Sequence, residues 1–155
     1  MSTKDLILAI DNGTQSVRAL LFDANGQRIA RSQIALTYQR PDALTCEQSP
    51  EYFWQQVCAA CQALWAQNSG YAARIAAVTL TTQRATVVAL DAKQQPLRAA
   101  ISWMDQRRCR TVPSVGGVWH LLFRLAGVQD TIAHFQRDCE AAWIKEQEPN
   151  AYKNI

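Results

Sequence analysis

Between Asp11 and Arg18 the sequence reads Asp-Asn-Gly-Thr-Gln-Ser-Val-Arg, which carries the functional groups needed to hold a phosphorylated ligand. Gly13 leaves room for a ligand to approach the backbone N–H groups. Thr14 and Ser16 offer hydroxyls, Gln15 an amide, and Arg18 a guanidinium fork that suits phosphate oxygens. Asp11 suits a hydrated Mg²⁺, which prefers one or two carboxylates together with substrate phosphates. The same residues also make an ordinary β-turn, and the local pattern alone does not separate the two readings. A second group follows later. Gln83 and Arg84 can donate several hydrogen bonds, Trp103 can stack on the carbons of a sugar, and Asp105 can accept hydroxyl protons. Each has a plain structural alternative: an ion pair for Arg84, core packing for Trp103, a helix cap for Asp105.

The elements that must hold these groups are legible in the hydrophobic pattern. Residues 5–11 are nearly all apolar and read as a strand central in its sheet. Residues 16–23 read as a second strand antiparallel to it, with Asn12-Gly13 as a hairpin signal between them. After the Asn25-Gly26 turn, residues 27–38 alternate in part and suit a third strand with one wet face. A polar connection over 39–48 then leads to a helix start at Ser49-Pro50-Glu51: an N-cap, a proline in the first turn and an early carboxylate. Phe53, Trp54, Val57, Cys58, Cys61, Leu64 and Trp65 recur at helical spacing and are read as core, with Asn68-Ser69-Gly70 ending the helix. Residues 74–80 read as a fourth strand, buried on most of its length. Thr82-Gln83-Arg84 is its C-terminal exit, where ligands gather in open α/β sheets. Residues 86–90 and 97–103 look like a hairpin. Asp105 to Arg110 is expected to start a helix, and 111–117, with Pro113 and two glycines, to be a loop. Trp119–Leu125, Thr131–Phe135 and Cys139–Gln147 are helical candidates, with Trp143 and Ile144 inward and Pro149 as a stop.

The totals bound the answer. A chain of 155 residues, 48% hydrophobic and 19% charged, is a folded protein with one core. A net charge of +3, without a basic run, gives no sign of nucleic acid as a partner. No apolar stretch approaches a membrane span, and no signal-peptide pattern precedes the first strand, so no membrane partner and a cytoplasmic location are expected. Five scattered cysteines form no disulfide framework. Cys58-Ala-Ala-Cys61 lacks a second ligand pair for zinc and is read as helix packing.

Asp11-x-Gly13-Thr14-x-Ser16-x-Arg18, after an apolar strand and before Leu21-Phe22-Asp23 and an Asn-Gly turn, resembles the first phosphate motif of the FGGY family of carbohydrate kinases. Further pieces resemble the same family in order: Glu47 to Trp54, Thr82-Gln83-Arg84, Ile101 to Arg107, and Trp143 to Pro149. The resemblance implies an α/β, ribonuclease-H-like domain of the actin-like ATPase superfamily, its mixed sheet opening with three antiparallel strands and incomplete at the C-terminus. Domain boundaries expected on this basis are 1–110 for the core and 111–155 for a helical extension.

The resemblance further implies ATP and Mg²⁺ as cofactors and phosphoryl transfer to a hydroxyl of a sugar or polyol. Asp11, Gly13, Thr14, Gln15, Ser16 and Arg18 would line the phosphate cradle, with Asp11 at the metal. Gln83, Arg84, Trp103 and Asp105 would meet the substrate. Glycerol kinases carry a glutamate directly after the arginine, where this chain has Ala85. Xylulose kinases carry Met-His after the glutamine, where it has Arg84-Ala85. The acceptor is therefore open. The aspartate that serves the family as general base is expected beyond Pro149, so the 155 residues alone are expected to be nearly inactive and to self-associate through uncovered apolar surface. A non-catalytic sugar- or phosphate-binding remnant is the alternative. A ribonuclease-H-type nuclease is disfavoured, because only Asp11 sits at a strand end in the core and such enzymes need several converging carboxylates.

Overall fold

The computed structural model describes residues 4–111 and 115–155. Pro113, at the centre of the expected 111–117 loop, lies outside the described residues. The chain forms two compact units, each assembled from two stretches: the chain up to Tyr38 with Gln48–Thr86, and Gln39–Glu47 with Val87–Ile155.

The first unit is built on a four-stranded sheet. β1 (Leu6–Asn12), β2 (Ser16–Phe22) and β3 (Arg28–Ala35) run antiparallel in succession, and β5 (Ile75–Thr82) lies parallel to β1, giving the order β3-β2-β1-β5. Side chains alternate across a strand. Leu6, Leu8, Val17, Ala19 and Leu21 therefore share one face, where they meet Ala60 and Leu64 of α1 (Pro50–Trp65). Ser49 caps that helix, its Oγ accepting from the Tyr52 N–H at 3.4 Å, and Pro50 sits in the first turn where its missing N–H is not needed. The helix ends at Trp65, before the Asn68-Ser69-Gly70 stop read from the sequence. Trp54 departs from the expected stripe: it is 63% exposed although it lies on the same arc of the helix as Cys61 and Trp65, two to three turns nearer the N-terminus.

β5 also differs from expectation. It is a strand as read, but Val78 and Leu80 are each 61% exposed rather than buried. An apolar run signals a strand fit for burial on both faces and says nothing of what covers it. α1 packs on β2 and β3, two and three positions away in the sheet from β5.

In the second unit, β6 (Ala100–Ile101) pairs with the two-residue β4 (Glu47–Gln48). The hairpin read over 86–103 survives as isolated antiparallel bridges, Val87 with Ile101 and Leu90 with Pro96. The expected helix at 105–110 is absent: that segment is irregular, held by bonds such as Gln106 N–H to the Leu44 carbonyl at 2.8 Å. Asp105 turns its carboxylate onto backbone and side-chain donors instead of capping a helix. α2 (Gly117–Leu125), α3 (Gln129–Arg137) and α4 (Glu140–Gln147) follow. Ile144 of α4 is buried against Ala89 and Ile101. Pro149 does end α4, but it also opens a further short helix, α5 (Pro149–Tyr152), since proline is as good a first helical residue as it is a poor interior one.

Candidate functional site

The corner between β1 and β2 is not the two-residue Asn-Gly turn of a simple hairpin. Asn12 stays in β1 opposite Val17, and the loop Gly13–Ser16 closes with the Gly13 N–H donating to the Ser16 carbonyl at 3.2 Å. Gly13 is not in the left-handed region, so its role is space. A Cβ there would stand 3.3 Å from the Ser16 carbonyl oxygen and 3.6 Å from Asp11 Oδ1. Glycine thus keeps a hollow between the loop backbone and the Asp11 carboxylate.

Asp11 and Arg18 face each other in register on the sheet face opposite α1. Arg18 donates from a guanidinium nitrogen to Asp11 Oδ2 at 2.9 Å, and both side chains are partly exposed. Asp11 Oδ1, the oxygen nearer Gly13, is left to face the hollow. The Ser16 side chain is less accessible than the motif suggests, being 3% exposed, with its Oγ accepting from Gln33 Nε2 at 3.1 Å. Gln33 is oriented in turn by Arg31 at 2.9 Å. Gln15 is exposed and its carbonyl accepts from the Leu36 N–H at 2.9 Å, while Thr14 is half-buried beside it.

Parallel pairing of β5 with β1 brings the exit of β5 to this corner. The Gln83 N–H donates to the Asn12 carbonyl at 3.0 Å, and the Gln83 side chain accepts from the Tyr38 hydroxyl at 3.2 Å. Tyr38 rests edge-on against Phe53. Arg84 follows, exposed, and no ion pair holds it among the described residues. Ala85 has φ +53°, a strained backbone for a residue with a Cβ, and this bends the chain away directly after Arg84.

The second unit holds Trp103 and Asp105. Trp103 is 54% exposed, so it is not core. Asp105 has a side chain only 5% exposed and is heavily engaged: it accepts from the Cys46 N–H at 2.8 Å, from the Arg107 N–H at 3.0 Å and from Arg107 Nε at 2.9 Å. Arg107 and Arg98 both donate to Glu47, Arg98 also meets Glu148 at 3.0 Å, and both guanidinium groups lie over the Trp143 ring, at 4.1 and 5.2 Å from its centre. Burial would lower the Arg107 pKa, but the hydrogen bonds to Asp105 and Glu47 outweigh it and raise the value. Sequence reasoning did not foresee this cluster. Its members are spread from Glu47 to Glu148, and only the fold of the unit gathers them.

Among the described residues no three His, Cys, Asp or Glu side chains are grouped to form a metal cage. A single carboxylate beside a loop suits a hydrated cation that also binds phosphates, rather than a metal held by side chains alone.

The sequence profile of the FGGY family of carbohydrate kinases, N-terminal domain, matches residues 6–155. The chain belongs to that family. A glycerol kinase of Nitrosomonas eutropha is 38% identical over 108 residues, covering 69% of this chain and 22% of that protein. Among solved structures, a xyloylose kinase from Brucella ovis superposes with a TM-score of 0.75 at 24% identity, over 97% of this chain and 31% of the other. A Plasmodium falciparum glycerol kinase with ADP gives 0.66 at 16% identity, over 99% of this chain and 31% of the other. This FGGY chain therefore has the actin-like ATPase, ribonuclease-H-like fold, and spans about a fifth of the length of the curated relatives it matches.

Proposed function

We propose that this chain supplies the phosphate-binding corner, and part of the acceptor site, of an ATP-dependent kinase acting on a sugar or polyol. The observation that carries the reading is the Gly13 hollow, with Asp11 and Arg18 in register beside it and Gln83 fastened to its rim. Phosphoryl transfer demands little covalent work of a protein. It requires the phosphates positioned and their charge neutralised. The Thr14 hydroxyl and loop N–H groups other than that of Gly13, which closes the loop onto Ser16, meet phosphate oxygens. Arg18 stands by as a donor, and the Ser16 hydroxyl, fixed by Gln33, stiffens the loop from beneath. Mg²⁺, carried in with ATP, would bind at Asp11 and neutralise charge on the transferring group.

Gln83 and Arg84 are the acceptor-binding residues of the first unit. The exposed guanidinium of Arg84 suits hydroxyl oxygens. In the second unit Trp103 offers an exposed ring for the carbon face of a sugar. Asp105 has spent most of its lone pairs on Cys46 and Arg107, so its larger task is to fix the segment that carries Trp103. The similar proteins include glycerol and xyloylose kinases, which supports a polyol or ketopentose as the acceptor. Ala85, small where glycerol kinases carry a glutamate, leaves one hydroxyl contact unmade and favours an acceptor other than glycerol.

No carboxylate of the described site is free to act as general base, and such a base supplies typically 10²–10⁴-fold. The 155 residues alone should therefore turn Mg·ATP over poorly. A coupled ATP-consumption assay with glycerol, xylulose and a panel of pentitols tests this. Robust sugar-dependent turnover by the purified chain would contradict the incomplete-site reading.

A further inference from the structure

Cys58 and Cys61 stand three residues apart on α1, both of them free thiols and both half-buried. That spacing puts the two side chains on one flank of the helix, about a turn apart. Cys61 packs against the core that α1 makes with the sheet, as do Val57 and Trp65. Helical spacing sets Trp54 one turn before Cys58 and Trp65 one turn after Cys61, so the thiols share an apolar stripe. Neither thiol has a part in the phosphate corner.

Three kinds of chemistry are open to such a pair, and geometry separates them. A disulfide needs Cβ atoms roughly 3.5–4.5 Å apart. Neighbours at this spacing on a helix hold theirs about 5–6 Å apart. Direct oxidation would therefore distort a helix turn whose Ala60 carbonyl, between the two cysteines, accepts from the buried Ser32 hydroxyl. Structural zinc takes four ligands, and its thiols must be deprotonated. Among the described residues no third His, Cys, Asp or Glu joins the pair. Burial, and after it the neighbouring Cys58, push the Cys61 thiol above its usual value, which disfavours the thiolate. What remains is one thiophilic atom that bridges two neutral thiols and leaves no charge behind. Trivalent arsenic does this. Each As–O bond is exchanged for an As–S bond, each thiol proton leaves on the departing oxygen as water, and no oxidation state changes. The product is neutral, as a half-buried apolar flank requires.

We propose that Cys58 and Cys61 form a dithiol site that binds one trivalent arsenical across a turn of α1. An aryl group on the arsenic gains apolar contact along the same stripe. With both sulfurs on one helix, a sulfur displaced by a monothiol rebinds intramolecularly, so the adduct resists monothiols and yields only to another dithiol. The site is separate from the Gly13 hollow and does not depend on the kinase reading.

Phenylarsine oxide, added to the reduced 155-residue chain and followed by intact-mass spectrometry after a wash in excess monothiol, tests the proposal. The chain should retain one arsenical less one water, and dimercaptopropanol should remove it. Cys58→Ala and Cys61→Ala should each retain at least tenfold less, whereas Cys139→Ser, at the exposed cysteine, should retain as much as the unaltered chain. Should an alanine variant fail to fold, alkylation of the unaltered chain decides: after arsenical treatment Cys58 and Cys61 should resist iodoacetamide while Cys139 still reacts. No adduct surviving the monothiol, an adduct indifferent to Cys58→Ala, an adduct lost in Cys139→Ser, or Cys58 and Cys61 alkylated despite the arsenical would each overturn it.

Discussion

The backbone N–H of Gln83 donates to the carbonyl of Asn12 at 3.0 Å, which fastens the strand exit that carries Arg84 to the corner that carries Gly13. Two stretches seventy residues apart in sequence thus become the two walls of one candidate site. The parallel register of β1 and β5, ending at Asn12 opposite Thr82, makes this juxtaposition unavoidable.

The first prediction concerns the hollow. Gly13→Ala should weaken Mg·ATP binding at least tenfold, because the new methyl lies 3.3 Å from the Ser16 carbonyl oxygen and 3.6 Å from Asp11 Oδ1. Its effect on stability should stay near 1 kcal/mol, as for an ordinary substitution. Isothermal calorimetry and urea unfolding on the same protein separate the two effects.

Arg18 and Asp11 form a partly exposed ion pair, and such pairs contribute about 0–1 kcal/mol to stability. Arg18→Ala should therefore leave the unfolding midpoint nearly unchanged while weakening ATP binding and reducing its salt dependence. Asp11→Asn should abolish the advantage of Mg·ATP over ATP alone. Titrations with and without Mg²⁺, at low and high salt, check both.

In the second unit, Glu47 receives both Arg98 and Arg107. Glu47→Gln should destabilise that unit by about 2 kcal/mol, since it weakens charge-assisted hydrogen bonds to two largely buried guanidinium groups, which Glu148 and Asp105 still pair. Trp143 lies beneath both guanidinium groups, so urea unfolding followed by tryptophan emission reports the loss.

Two carboxyls set an acid limit. The hydrogen bond from Arg74 holds the Asp5 carboxyl below its usual value, and bonds from the Thr45 hydroxyl and the Thr45 and Leu44 N–H groups do the same for Asp42. A carboxyl whose folded pKa is depressed contributes stability above its unfolded value, near 3.9. That contribution is lost as pH falls through the lower folded value. The urea midpoint should be flat from pH 7 to about 5 and fall below about pH 4, and Asp42→Asn should make the fall shallower.

The three antiparallel strands, the Ser49 cap and α1 were legible because period-2 and period-3.6 patterns and cap chemistry are local. β5 was legible as a strand and illegible as an edge: Val78 and Leu80 look alike in sequence whether or not a neighbour covers them. At the corner, the room that Gly13 leaves was legible, whereas Ser16 is turned inward by Gln33, seventeen residues on. Asp105 shows a different limit. The sequence offers it as an acceptor, but its partners, Cys46 and Arg107, depend on a meeting of segments that no local pattern encodes. The division at residue 110 ran along the chain, whereas the compact units interleave, with Gln39–Glu47 joining the later residues.

The most direct test is an amide-resolved nuclear magnetic resonance titration of the 155-residue chain with Mg·ATP. Shifts should concentrate at Asp11 to Arg18 and at Gln83 and Arg84, and should vanish from the Gly13 amide in the Asp11→Asn variant when Mg²⁺ is the varied component. Saturating Mg·ATP that leaves the Gly13, Thr14 and Gln83 amides unmoved, or that moves only residues outside the first unit, would contradict the assignment of the β1–β2 corner as the phosphate site.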